Sequence, residues 1–106
     1  MKRASQPGPF AQQVYDFLLA IPTGKVATYC QIAAALGRPK AARAVGNILH
    51  RNPDPEKYPC YKVVNAKGEL ARHFAFGGAA GQKLRLACEG IEVKNNTVDL
   101  KRFGMR

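Results

Sequence analysis

Gly37-Arg38-Pro39 is the strongest constraint on what this chain can fold into. It places a residue at ease in the left-handed backbone region next to one that cannot continue a helix. A short segment with apolar spacing of three and four stands on each side of it. Upstream, Thr28 suits an N-cap. A helix is expected from about Tyr29 to Leu36, with Ile32 and Leu36 on one face and Gly37 as its stop. Downstream, a second helix is expected from about Lys40 to His50, offering Ala41, Ala44, Val45, Ile48 and Leu49 for packing. Two short helices on a tight turn make a helix-turn-helix pattern, and an αα corner of any other purpose has the same spacing.

The remaining elements follow from the same punctuation. Residues 1–8 are polar, end in Pro7-Gly8 and are read as a flexible tail, leaving one domain over 9–106. Phe10, Val14, Phe17, Leu18 and Ile21 recur at helical intervals behind Pro9, which suits a first turn. Pro22-Thr23-Gly24 ends that helix, and Lys25-Val26-Ala27 is short and extended. Asn52-Pro53-Asp54-Pro55 is a turn cluster, Val63-Val64 a short strand and Asn65-Ala66-Lys67-Gly68 a turn. Residues 69–78 are irregular. Ala79 to Glu89 is helical, with Leu84 and Leu86 among alanines and Gly90 as its stop. Ile91-Glu92-Val93 and Thr97-Val98-Asp99-Leu100, joined by Lys94-Asn95-Asn96, form a terminal hairpin. The expected fold class is mainly α with a small β hairpin and winged helix-turn-helix-like, which becomes an expected DNA-binding domain once charge and motifs are added.

Seventeen basic against seven acidic residues give a formal charge of +10. Such an excess favours a polyanionic partner, nucleic acid ahead of an anionic membrane surface. No apolar run approaches the roughly 20 residues of a membrane helix, and no apolar stretch follows the basic Met1-Lys2-Arg3, so secretion is not expected. Cys30, Cys60 and Cys88 have no C-x-x-C spacing and only two histidines accompany them, so no metal is expected. An odd count of thiols without a leader suggests a reduced, cytoplasmic protein. Cys30 and Cys88 fall in expected helices without a motif and are read as structural.

Two stretches carry chemistry. Lys40-Ala41-Ala42-Arg43-Ala44-Val45-Gly46 has small side chains and one Arg, which lets a helix backbone approach another surface closely. That surface is either a neighbouring helix or a minor groove into which Arg43 reaches. In Pro59-Cys60-Tyr61-Lys62-Val63-Val64, a Cys follows a Pro and leads into a β-branched pair. That placement suits a nucleophile at a loop-to-strand corner, although free Cys is often simply a buried small hydrophobe.

Together these stretches resemble the O6-alkylguanine-DNA alkyltransferase family, over about Phe10 to Val93. The resemblance implies a recognition helix in the minor groove, with Lys40, Ala41, Ala42, Arg43, Ala44 and Gly46 at the DNA and Arg43 in the place of the flipped nucleotide. Ile21 to Tyr29 is similar to the family's approach to its first helix, which assigns Tyr29 to rotating the target nucleotide. The family's Pro-Cys-His-Arg-Val becomes Pro59-Cys60-Tyr61-Lys62-Val63, with Cys60 as alkyl acceptor. The family His relays the thiol proton to a Glu, for which Glu89 in Ala87-Cys88-Glu89-Gly90 is the candidate. Tyr61 stands where that His would be, and a phenol of pKa about 10 is a poor base at neutral pH. Asn52 matches the Asn that organises the turn, and Phe74 to Gly78 resembles the loop that closes over the base. His73 is a further candidate base.

The catalytic candidates are thus Cys60, Glu89, Tyr61 and Asn52, with no cofactor. The implied partner of a monomer is duplex DNA containing O6-alkylguanine, together with nucleotide excision repair proteins, and no membrane. Two outcomes stay open. One is a stoichiometric alkyltransferase, favoured by Cys60. The other is an alkyltransferase-like lesion sensor, favoured by Tyr61, the small size and the long Cys60–Glu89 spacing. A major-groove regulator is a more distant third, since Ala41, Ala42 and Ala44 cannot read base edges.

Overall fold

Pro9 occupies the first turn of α1 (Pro9–Ala20), where its missing N–H costs nothing. This computed structural model describes residues 8–54, 56–71 and 78–105. Helix α1 buries Val14, Tyr15 and Leu18 and ends where Ile21 turns extended. Strand β1 (Ala27–Thr28) leads directly into α2 (Tyr29–Ala35). Thr28 caps α2 as expected and does so reciprocally. Its Oγ1 accepts from the Gln31 N–H (3.0 Å), and Gln31 Oε1 accepts from the Thr28 N–H (2.9 Å).

Helix α2 stops at Gly37, whose φ of +80° lies in the left-handed region. Helix α3 (Ala42–His50) begins two residues later than its apolar pattern predicted. The cause is Pro39, which sits inside a turn closed by the Ala41 N–H on the Arg38 carbonyl (2.9 Å). Lys40 and Ala41 therefore belong to the turn. Helices α1, α2 and α3 enclose a core of Val14, Leu18, Ile32, Ala33, Val45 and Leu49, each large side chain contributing about 1.5–3 kcal/mol by burial. Tyr15 stacks on Tyr58 at 5.1 Å between centroids and donates its hydroxyl to the Ile48 carbonyl (2.6 Å).

A second core gathers Val26, Val64, Leu70, Leu86, Ile91, Val98 and Phe103. It lies under α4 (Gly78–Ala87) and the hairpin of β3 (Val93–Lys94) and β4 (Thr97–Val98). In α4, Gln82 and Leu86 are buried one turn apart, which turns Leu84 outward, 69% exposed rather than packed. Asn95 and Asn96 both take positive φ and make the two-residue hairpin turn. The hairpin ends sooner than expected. Asp99 caps a short α5 (Leu100–Phe103), accepting from the Lys101 N–H (3.0 Å). The chain then returns to Val26, whose N–H donates to Phe103 O and whose carbonyl accepts from Met105 N–H, both at 2.8 Å.

The link that positions the site is a parallel pairing of β1 with β2 (Val63–Val64), in register Ala27↔Val63 and Thr28↔Val64. A 3₁₀ turn, Cys60–Lys62, precedes β2. The fold is mainly helical with small sheets and a helix-turn-helix made by α2 and α3. His73 and all of the lid-like Phe74–Gly78 segment except Gly78 lie outside the described residues.

Candidate functional site

Cys60 opens the 3₁₀ turn and is 6% exposed, packed in the core of the helix-turn-helix. Its N–H donates to the Tyr58 carbonyl (2.7 Å). The same carbonyl accepts from Asn52 Nδ2 (2.7 Å), while Asn52 Oδ1 accepts from the Asp54 N–H (2.9 Å). Asn52 is buried and thereby ties the end of α3 to the Cys60 turn. Burial pushes the Cys60 thiol above its ordinary value, while the Asn52 amide, the backbone N–H and the charge of Arg85 pull it down. Tyr15 and Tyr29 face Cys60. Burial first, and the neighbouring thiol second, raise both phenols.

Tyr29 is the first residue of α2 and half-buried. Its ring lies over α3 at Gly46, where a Cβ would sit 3.9 Å from Tyr29 Cε1. On α3 itself Arg43 and Ala44 are exposed, Ala42 is half-buried at the helix start, and Val45 and Leu49 turn into the core. Lys40, exposed in the preceding turn, adds charge beside this surface. The start of α3, Ala42 to Gly46, thus offers one long side chain on an otherwise small-residue surface.

Tyr61 and Lys62 diverge from Cys60 within the same turn. The Tyr61 ring packs against the second core and its hydroxyl donates to Glu89 Oε2. Lys62 is 3% exposed, and its ammonium meets the Ile21 carbonyl (3.0 Å), the Pro22 carbonyl (2.8 Å) and Glu89 Oε1 (3.0 Å). Glu89 Oε1 also accepts from the Gly24 N–H (3.1 Å). Burial alone would raise the Glu89 carboxyl, but the donors from Tyr61, Gly24 and Lys62 outweigh it and hold it below its ordinary value. Burial, the Glu89 hydrogen bond and the Glu89 charge together push the Tyr61 phenol far above the tyrosine range.

Comparison with known proteins fixes the family. A model of the 6-O-methylguanine DNA methyltransferase DNA-binding domain matches residues 9–91. The chain belongs to this family. It is similar to a bifunctional methyltransferase/endonuclease of Picrophilus torridus, 46% identical over 90 residues, 85% of this chain and 30% of that protein. It is also similar to a DNA base-flipping protein of Escherichia coli, 36% identical over 95 residues, 89% of this chain and 72% of that one. Among solved structures, Schizosaccharomyces pombe Atl1 in complex with damaged DNA containing O6-carboxymethylguanine superimposes with a TM-score of 0.83 at 30% identity, covering 100% of this chain and 99% of that one. The chain spans less than half the length of several curated relatives that it matches.

Set within the methyltransferase family, the expected residues fall into three groups. Cys60, Asn52 and Tyr29 come together in the helix-turn-helix core. Arg43, Ala44 and Lys40 face outward. Tyr61 and Glu89 meet each other on the side of the second core, and no described hydrogen bond joins them to Cys60. Two contributors were missed. Lys62 holds Glu89, and Gln82, 0% exposed, donates to the Tyr61 and Val63 carbonyls (both 3.0 Å) and accepts from Ala71 N–H (2.8 Å). A polar residue one turn from Leu86 on the apolar face of α4 was the available signal for Gln82. Cys30 and Cys88 are exposed rather than structural core, and Cys88 follows α4 to line a cleft of about 400 Å³ beside Tyr61, Pro59 and Arg85.

Proposed function

We propose that this protein repairs duplex DNA containing O6-alkylguanine by flipping the base and taking its alkyl group onto Cys60, once per molecule. The observation that carries this reading is the pairing of β1 with β2. It draws Tyr29, which follows β1, and Cys60, three residues before β2, into the one core that Val45 and Leu49 of α3 also join. Arg43 enters the stack from the minor groove, Tyr29 turns the nucleotide outward and Cys60 receives the alkyl carbon. The S–C bond forms as the C–O6 bond breaks; the thiol proton leaves to solvent and the guanine takes one up. The names of the Picrophilus and Escherichia coli relatives and the damaged DNA held by Atl1 support the substrate class.

A second reading is a lesion sensor that hands the site to nucleotide excision repair proteins. The capture of Glu89 by Tyr61 and Lys62 favours it, because no free base stands beside Cys60 among the described residues. Intact-protein mass after incubation with an O6-methylguanine duplex separates the two. Wild-type protein is expected to gain one methyl group and Cys60→Ala none. Tight lesion binding without a mass gain would leave the sensor, and Arg43→Ala is expected to weaken lesion binding in either case.

A further inference from the structure

We infer that Lys62 is a positioning residue that holds Glu89 as the anchor of the Cys60 turn, and that the Cys60 proton does not pass to Glu89. The inference rests on the alkyl-transfer reading above.

An ammonium has three N–H bonds, and Lys62 has three oxygen partners: Ile21 O, Pro22 O and Glu89 Oε1. Its charge is buried and satisfied by these partners. Glu89 is equally committed. Oε1 accepts from Lys62 and from the Gly24 N–H, and Oε2 accepts from the Tyr61 hydroxyl. A carboxylate held by one cation and two further donors has a low affinity for another proton, which agrees with the depressed Glu89 carboxyl. Protonating it would leave the Lys62 charge buried without its counter-ion.

The route through Tyr61 is closed in the same way. Its hydroxyl proton is already donated to Glu89. Tyr61 could take a proton from Cys60 only by passing its own to Glu89, which is the step that Lys62 opposes. The titratable and charged groups facing Cys60 are Tyr15 on α1, Tyr29 on α2 and Arg85 on α4, while those facing Glu89 are Tyr61 and Lys62. Among the described residues no group acts on both Cys60 and Glu89, and Arg85 alone acts on both Cys60 and Tyr61.

What the cluster does instead is mechanical. It joins the Cys60 turn, the 21–24 loop that leads to β1, and the residue two past α4. The 21–24 loop fixes β1, and β1 fixes Tyr29. Lys62 therefore sets the distance between the acceptor thiol and the residue that turns the base.

The test is a cycle of Lys62→Met, Glu89→Gln and the double variant, with Cys30 and Cys88 changed to Ser so that Cys60 is the single thiol. Three quantities are read: methyl transfer from an O6-methylguanine duplex at saturating DNA, affinity for undamaged duplex, and the pH midpoint of Cys60 alkylation by iodoacetamide. Lys62→Met is expected to slow transfer by about tenfold or more while DNA affinity stays within about twofold. The double variant is expected to transfer no faster than Lys62→Met, because both lack the ammonium that ties the Cys60 turn to the Ile21 and Pro22 carbonyls. Glu89→Gln is expected to leave the Cys60 midpoint unmoved. Transfer at the wild-type rate by folded Lys62→Met or by the folded double variant overturns the inference, and so does a Cys60 midpoint raised by about one unit in Glu89→Gln. If the double variant does not fold, Lys62→Met and the midpoint in Glu89→Gln decide. The alkylation readout needs no methyl transfer. Absence of transfer in wild type would remove the alkyl-transfer reading and with it the positioning role of Lys62, while an unmoved midpoint in Glu89→Gln would leave the separation of Cys60 from Glu89 standing.

Discussion

At Cys60, burial and hydrogen bonding act against each other, and burial wins: the thiol sits above its ordinary value. Only the thiolate attacks carbon. Below the thiol's pKa each pH unit changes the thiolate fraction about tenfold, so methyl transfer by wild-type protein is expected to rise with pH through the neutral range. A time course of intact mass at several pH values checks it, and a flat profile would mean that deprotonation does not limit transfer. Glu89 acts in the opposite direction, on stability. Its folded-state carboxyl lies below its unfolded value of 4.5, so its contribution is complete above that value and is lost as pH falls through the folded pKa. Thermal unfolding between about pH 6 and 3 should show this loss, and Glu89→Gln should flatten it. Cys60, Glu89, Tyr61 and Asn52 were all named from the sequence, and the structure sets Asn52 at the Cys60 turn and Tyr61 against Glu89. The contact of Tyr61 with Glu89 was implied by the resemblance, but the lack of any described hydrogen bond from this pair to Cys60 was not legible. Side-chain direction within a three-residue turn depends on which core each residue joins, and no periodicity encodes that. Lys62 was invisible as a buried group because lysine is rarely buried without partners, and its partners are two backbone carbonyls and a residue 27 positions on.

Helix α3 works by what it lacks. Gly46 leaves the Tyr29 ring room against the helix, with a Cβ at ordinary contact distance. Gly46→Ala is therefore expected to preserve lesion binding. Gly46→Val adds two methyl groups toward the ring and should displace Tyr29, reducing base flipping read by 2-aminopurine fluorescence. Equal behaviour of the two variants would show that Tyr29 does not depend on this contact. Elements with strong local punctuation were readable: Pro9 at the start of α1, Thr28 before α2, Gly37 after it and the Asn95-Asn96 turn. The start of α3 was misplaced because Lys40 and Ala41 have good helix propensity and only Pro39, held in its turn, excludes them. The α5 helix went unseen because its four residues are too few to show a period. Its Asp99 cap is a weak signal by itself.

The whole molecule carries +10 charges, and this charge sets how it meets DNA. Log affinity should fall linearly with log salt, with a slope of about −0.9 for each phosphate neutralised. Lys40 and Arg43 then separate cleanly. If Lys40 pairs with a phosphate, Lys40→Ala lowers the slope by about one. If Arg43 enters the stack, Arg43→Ala weakens lesion binding and leaves the slope nearly unchanged. Salt titrations by fluorescence anisotropy distinguish them, and a slope change for Arg43 alone would reverse the assignment.

The parallel ladder between Ala27–Thr28 and Val63–Val64 also has a consequence in time. Its strands are far apart in sequence, and Val26 beside it is held in turn by Phe103 and Met105. Glu89 reaches back to Gly24 across a comparable stretch. Closing such long loops is slow and comes after the local helices form. On the ribosome, the surroundings of Cys60 are thus completed only after Phe103 and Met105 have emerged. A nascent or proteolytically clipped molecule that lacks Phe103 and Met105 would hold an ordinary, unpositioned thiol.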